Sequence, residues 1–187
     1  MNTMSKAINR IRRYFDYKKR KRIFKFVNEK SIYLPYGPKR LEKVRKMLNK
    51  LPNVSLGKNC RVEGPIYIVS DLKAGEDCFF GRGFSCLAYG KVNIGNHVSF
   101  GAETIISTGN HMYDDNKFHR AGKLYACNVE IKDGCWFGVR TTVVGRKNIC
   151  INSGVVAAAG SVIIDDVTND VLVAGVPAVE KKKLFME

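Results

Sequence analysis

The sequence predicts a mainly β architecture, a parallel β-helix with an α-helical extension at its N-terminus. Three observations carry the prediction. Apolar residues recur every six positions over long blocks, an apolar or small residue stands two places before each, and glycine often follows. A hexapeptide period marks a coil of short strands and turns. A helix is excluded over the same stretch, because six is not a helical period and glycine is too frequent.

The N-terminal segment, residues 1–52, reads as basic and helical. Residues 1–50 hold 17 Lys and Arg against 3 Asp and Glu, while the rest of the 187-residue chain holds 15 against 14. The net charge of +15 therefore belongs almost wholly to this segment. Ile8, Ile11, Phe15, Ile23, Phe26 and Val27 sit at roughly helical spacing among the cations. A basic amphipathic helix suits an anionic membrane surface, here through residues 1–30, or caps the body as a solvated helix. Nucleic acid is not expected as a partner, because no binding motif accompanies the charge. Pro35, Gly37 and Pro38 break the first helix, and Leu41, Val44, Leu48 and Leu51 mark one face of a second. No apolar run reaches the length of a membrane helix and no signal-peptide core is visible, so a cytoplasmic location is expected, peripheral at the inner membrane face.

The repeat region is 53–164. Its markers are Leu56, Val62, Ile68, Ala74, Phe80 and Cys86, then Ile94, Phe100 and Ile106, then Ile131, Phe137 and Val143, then Ile151, Ala157 and Ile163. Alternation in a strand turns each marker inward together with the residue two before it. Cys60, Cys78 and Cys135 occupy that second site and read as compact core fillers. No Cys-x-x-Cys pair suggests a metal or redox centre among the 6 cysteines. If three hexads make one triangular coil, every interruption falls after a whole number of coils and leaves from one edge of the prism. The longest, within an excursion spanning 107–128, carries His111 and His119, two of the chain's three histidines. A long loop in a compact repeat is usually functional. Residues 165–187 are expected to add a C-terminal strand and a basic tail.

At this point the chain resembles the hexapeptide-repeat acyltransferases, closest to the galactoside, maltose and virginiamycin acetyltransferase group and its polysaccharide O-acetyltransferase relatives. The matching stretches are "VNIGNHVSFGAETIIST", "NHMYDD", "VEIKDGCWFGVRTTVV", "GVVAAAGSVI" and "VLVAGVPAVEKKKL". They lie within about two thirds of the chain. The resemblance implies left-handed coils, a homotrimer, active sites in grooves between subunits, and acetyl-CoA as co-substrate with no metal.

Acyl transfer to a hydroxyl needs a base for the attacking oxygen, donors for the tetrahedral oxyanion, and a positioned acceptor. Histidine titrates near neutrality and suits the first role. His111 matches the family's catalytic histidine. A base also needs an orienting partner, for which Asp114, Asp115 and Glu103 are candidates. Asn110, beside the base, joins Asp114 and Asp115 as a candidate for orienting it or holding the acceptor. The galactoside relatives hold the acceptor with an asparagine from an earlier coil; the nearest position here is Arg82, which suits an acceptor carboxylate or phosphate. The resemblance sets the pantetheine arm beside Gly138, Val139, Ala159 and Gly160, where small residues permit close approach; tight coil packing is the plain alternative. Trp136 walls the groove or is buried. A Thr-Lys pair usual after the last hexad is replaced by Ile164 and Asp165, leaving Lys181, Lys182 and Lys183 to meet the nucleotide phosphates or to form a solvated tail.

The leading expectation is an acetyl-CoA-dependent O-acetyltransferase acting on a saccharide, a surface polysaccharide or its lipid-linked precursor. N-acetylation of an amino sugar nucleotide is the first alternative, and a serine or antibiotic acetyltransferase ranks lower. A non-catalytic trimeric binding module is a different class, which His111 argues against. Zinc carbonic anhydrase also uses this fold, but the spacing of His97, His111 and His119 does not fit its ligand set.

Overall fold

The computed structural model describes residues 16–31, 34, 36–87, 89–111, 123–145 and 147–185. Asp114, Asp115 and His119 lie outside the described residues.

Helix α1 covers residues 16–25 and ends in a π-helical turn, Phe26–Lys30. Helix α2 is Pro38–Leu48, with proline in its first turn where a missing N–H costs nothing. Then the coils begin. The first is β1 (Val54–Leu56), β2 (Arg61–Val62) and β3 (Tyr67–Ile68). The second is β4 (Asp71–Ala74), β5 (Phe79–Phe80) and β6 (Ser85–Leu87). The third is β7 (Lys91–Ile94), β8 (Ser99–Phe100) and β9 (Ile105–Ser107). An antiparallel ribbon follows, β10 (Gly109–His111) with β11 (Leu124–Ala126). The fourth coil is β12 (Val129–Ile131), β13 (Trp136–Phe137) and β14 (Thr142–Val144), and the fifth is β15 (Ile149–Ile151), β16 (Val156–Ala157) and β17 (Val162–Ile163). The chain closes with β18 (Val171–Gly175) and β19 (Ala178–Lys183).

Pairing turns the coils into a prism. Face A is β1-β4-β7-β12-β15, face B is β2-β5-β8-β13-β16-β18-β19, and face C is β3-β6-β9-β14-β17. Each strand pairs in parallel with the strand one coil on, so Val62, Phe80, Phe100, Phe137 and Ala157 form one inward row. Every six-residue marker except half-buried Ala74 is buried, and so is every residue two before it. That second site is not always small: it accepts Phe84 as well as Cys78 and Thr104. The insertions all leave from the edge where face C turns into face A, as the arithmetic of three hexads per coil requires.

The cysteines at the second site fill the core and also bond. Cys60, Cys78 and Cys135 donate to the carbonyls of Gly75 (3.1 Å), Gly95 (3.2 Å) and Asn152 (3.1 Å) on the next coil. Burial pushes the Cys86 thiol up to about 12 and that of Cys135 up to about 11, so neither is a nucleophile near neutrality.

The end of a solenoid exposes unpaired strand edges, which must be covered. Here the helices cover them. Ile23, Val27, Val44, Leu48 and Leu51 are buried in one cluster with Val54 and Leu56. The Asn28 amide accepts from Ile66 N (2.9 Å) and donates to Ile66 O (3.0 Å); Asn49 does the same for Leu56, at 2.8 and 2.9 Å. Arg20 donates to Ile68 O and to the Asn53 side chain. The capping reading of the N-terminal segment therefore holds for the described helices. At the other end two strands stand where one was expected, β19 folding back antiparallel on β18. No helix among the described residues is long and apolar enough to cross a membrane.

Candidate active site

His111 ends β10, at the root of the longest insertion. The ribbon pairs Gly109 with Ala126, Asn110 with Tyr125, and His111 with Leu124. It grows out of the C-to-A edge through Thr108, whose N–H donates to Leu87 O (2.9 Å) and whose carbonyl accepts from Cys127 N (2.8 Å). The Thr108 hydroxyl accepts from Gly90 N (3.0 Å) and lies 3.2 Å from the Ser70 hydroxyl. The base of the ribbon is thus fixed by buried polar bonds, while His111 itself is exposed. Asn110 holds the last turn of chain, its side-chain carbonyl accepting from His111 N at 2.9 Å.

The remaining expected residues gather on a different edge, where face B turns into face C. Reading up the coils, this edge carries Arg82, then Glu103, then Val139 and Arg140, then Ala159 and Gly160. The link is the backbone: Glu103 N donates to Arg82 O, Arg140 N to Ala102 O, and Gly160 N to Val139 O, each at 2.8 Å. Trp136 stands on face B just before the edge, 56% exposed, so it walls the surface and is not buried. Its outward row continues through Val156 and Leu172 to Lys182. Lys182 therefore shares a face with Trp136, whereas Lys183 is opposite inward-facing Val171.

Close packing accounts for part of this edge without any ligand. A Cβ on Gly138 would lie 2.6 Å from Ala159 N, and Gly138 N already donates to Ala157 O (2.8 Å). Gly160 is a glycine for another reason: its φ is +71° and nothing stands within 4 Å of a Cβ there. The carbonyl of Val139 is engaged by Gly160, and the N–H of exposed Ala159 takes part in none of these bonds.

Two features of the site go beyond the sequence reading, and one is the pairing of Glu103, a candidate there only for orienting the base, with Arg140. Glu103 and Arg140 both hold positive φ, 60° and 59°, at turns where glycine is the easy choice. Their side chains pair at 2.6 Å, in the open, and the carboxylate pushes the Arg140 guanidinium above its ordinary value. Glu103 is thereby committed to Arg140 and lies one face-width from His111 in the same chain. The other is Tyr125, opposite Asn110 in the ribbon, whose hydroxyl is buried and has no hydrogen-bond partner among the described residues. A hexad count reads the ribbon as loop, so no periodic signal marks Tyr125.

The two described histidines, His97 and His111, do not converge. His97 stands on the A-to-B edge with φ 56°, exposed, its Nδ1 3.9 Å from Asp77. His111 and the Trp136 edge are also apart. Four residues, Thr104 to Ser107, separate Glu103 from Thr108, a span of roughly 16 Å at about 3.3 Å per residue. Within one chain, then, His111 and the row of small residues stand on different edges.

No family model matches the chain. Among curated proteins it is similar to galactoside O-acetyltransferase of Lactococcus lactis, 28% identical over 167 residues, 84% of this chain and 72% of that protein. It is also similar to galactoside O-acetyltransferase of Escherichia coli, 27% identical over 142 residues, 75% and 68% of the two chains. Among solved structures it shares the fold of a hexapeptide-repeat-containing acetyltransferase of Vibrio cholerae complexed with acetyl-CoA, with a TM-score of 0.73, 23% identity, and coverage of 90% and 87%. The hexad coils, the histidine-bearing ribbon and these relations lead to one conclusion: the chain is similar over most of its length to galactoside O-acetyltransferases and shares the parallel β-helix fold of a hexapeptide-repeat acetyltransferase.

Proposed function

We propose that the protein transfers an acetyl group from acetyl-CoA to a saccharide hydroxyl, with His111 as general base, in a groove completed by a second copy of the chain. The observation that carries this reading is His111 itself, an exposed imidazole at the end of a ribbon whose root is rigidly bonded. His111 takes the proton of the acceptor hydroxyl as its oxygen attacks the thioester carbon. The C–O bond forms, the tetrahedral intermediate collapses, and the C–S bond breaks. The proton on His111 passes to the departing thiolate, giving the O-acetyl ester and coenzyme A. Asn110 acts as a positioning residue for the base. Arg82, exposed on the Trp136 edge, is assigned to an acidic or phosphorylated group on the acceptor. Trp136, Gly138, Val139, Ala159 and Gly160 line the pantetheine arm, and Lys182, in the Trp136 row, is the best placed of the three tail lysines for the nucleotide phosphates.

A homotrimer brings the two edges together. Its support is the contrast between faces: Lys73, Asn93 and Glu130 point outward from face A, while Tyr67, Ile105 and Trp136 point outward from faces B and C. Closed threefold association covers such apolar faces and sets one chain's ribbon against its neighbour's edge. The acceptor is a surface polysaccharide or its lipid-linked precursor, met at an anionic membrane surface, a reading supported by the charge of residues 1–50.

Calorimetry with acetyl-CoA tests the donor without needing the acceptor. Comparable binding to wild type and to His111→Ala is expected, because the base is not a donor contact. Absence of binding to folded wild-type protein removes the reading.

A further inference from the structure

The helical cap carries a concavity that acyl transfer does not use. Between α1 and α2 lies an open cavity of about 530 Å³ lined by Lys18, Lys19, Arg22 and Lys50, with Asp16 as the one acid and Ile23 and Met47 as the apolar part. The polar bonds that fix the cap to the first coil come from other residues: Arg20, Asn28, Arg45 and Asn49. Among the described residues no ion pair engages Lys19, Arg22 or Lys50. Lys50 instead lies along the cavity with its Nζ 3.7 Å from Met47 Sδ.

A run of lysines on a convex helix face is ordinarily solvated and needs no ligand. Here four cations and one carboxylate surround a hollow with an apolar floor. Like charges around one hollow repel, and a bound dianion relieves the repulsion through charge-assisted hydrogen bonds. The apolar part of the hollow, half-buried Met47 above buried Ile23 together with the lysine stems, offers nothing to a free phosphate but accepts the first carbons of a hydrocarbon chain. We propose that this cavity binds the phosphate or diphosphate headgroup of a membrane lipid. The site deepens the membrane-surface part of the proposed function and rests on it, and it is independent of His111.

The test is vesicle flotation of the full-length protein with phosphatidylcholine vesicles, alone or mixed with phosphatidic acid, whose monoester phosphate approaches the dianionic headgroup proposed for the cavity. Three proteins are compared: wild type, the cavity variant Lys19→Glu/Arg22→Glu/Lys50→Glu, and the control variant Lys21→Glu/Lys25→Glu/Lys39→Glu, which changes the same charge at exposed positions outside the cavity. Wild type is expected to float only with the anionic vesicles. The cavity variant should lose about tenfold or more in affinity and the control no more than about threefold, since a juxtamembrane cation contributes only modestly by diffuse attraction. Equal loss in both variants overturns the cavity as a site while leaving the membrane surface standing. No flotation of wild type overturns both, and acetyl-CoA binding, measured on the same samples, shows whether the acyltransferase reading fails with them. Titration with inorganic pyrophosphate separates the sources. Binding of pyrophosphate without flotation assigns the cavity to a soluble phosphate and overturns the lipid assignment. Melting curves check that the variants are folded, and the Gln series at the same positions replaces the Glu series if they are not.

Discussion

Gly138 and Gly160 stand one coil apart on the same edge and answer to different constraints. At Gly138 a Cβ would meet the backbone of Ala159 at 2.6 and 2.9 Å, so Gly138→Ala forces neighbouring coils apart, an overpacking cost of about 1–3 kcal/mol. At Gly160 there is space, but φ is +71°, and Gly160→Ala is expected to cost about 1–2 kcal/mol through the left-handed backbone alone. Urea unfolding distinguishes the two, because Gly160→Asn should recover much of the loss and Gly138→Asn none. The sequence marks both as glycines of a tight repeat, and it cannot tell a steric glycine from a conformational one. The same limit hides Arg140. Its position in a hexad turn is legible, but its pairing with Glu103 across two coils depends on the intervening excursion being looped out, which no local pattern states. Histidine was legible for a simpler reason: it is rare here, and it falls where the period fails.

The period itself was the most readable feature of the chain, because the inward rows are dictated by strand alternation. Phe100 sits at the centre of the longest such row, 5.3 Å from Phe80, 5.0 Å from Phe84 and 4.9 Å from Phe137 between ring centroids. Phe100→Ala leaves a cavity that stacked coils cannot close, and the expected loss is about 3–5 kcal/mol in chemical denaturation. The cap was legible only in part. Helical spacing predicts α2, but the asparagines that complete the strand edges belong to no pattern, since Asn28 and Asn49 work through tertiary bonds. Within α2, Glu42 grips Arg45 through two bonds of 2.8 Å, and Arg45 in turn reaches the carbonyls of Leu56 and Gly57. The Arg45 guanidinium, chiefly through its hydrogen bonds, holds the Glu42 carboxyl at about 2, below its ordinary 4.5. A lowered carboxylate stabilises fully above its unfolded value and loses that contribution as pH falls from there toward the folded one. The melting difference between wild type and Glu42→Gln should therefore be constant near neutrality, shrink as pH falls below about 4.5, and vanish by about 2. A difference that stays flat across that window contradicts the coupling.

At the scale of the molecule, the prism separates the functional residues onto two edges. His111, the proposed base, is on the insertion edge, and Arg82, Val139 and Ala159 are on the edge between faces B and C. The sequence places each residue on its coil, but which edges meet is a property of the assembly. If a neighbouring copy joins them, two defective proteins can repair one another. Co-expressed His111→Ala and Val139→Arg chains should form mixed trimers that acetylate acceptor, although each variant alone does not; steady-state rates on purified mixtures read the outcome. Rates no higher than those of the separate variants mean that one chain supplies the whole site. The most direct measurement is the rate of coenzyme A release from saturating acetyl-CoA in the presence of a saccharide acceptor pool, for wild type and His111→Ala. General-base removal is expected to lower the rate by about 10²–10⁴-fold with acetyl-CoA affinity unchanged. Turnover by His111→Ala at the wild-type rate would contradict the account, leaving the fold and the similarity to galactoside O-acetyltransferases in place but the base to be found elsewhere.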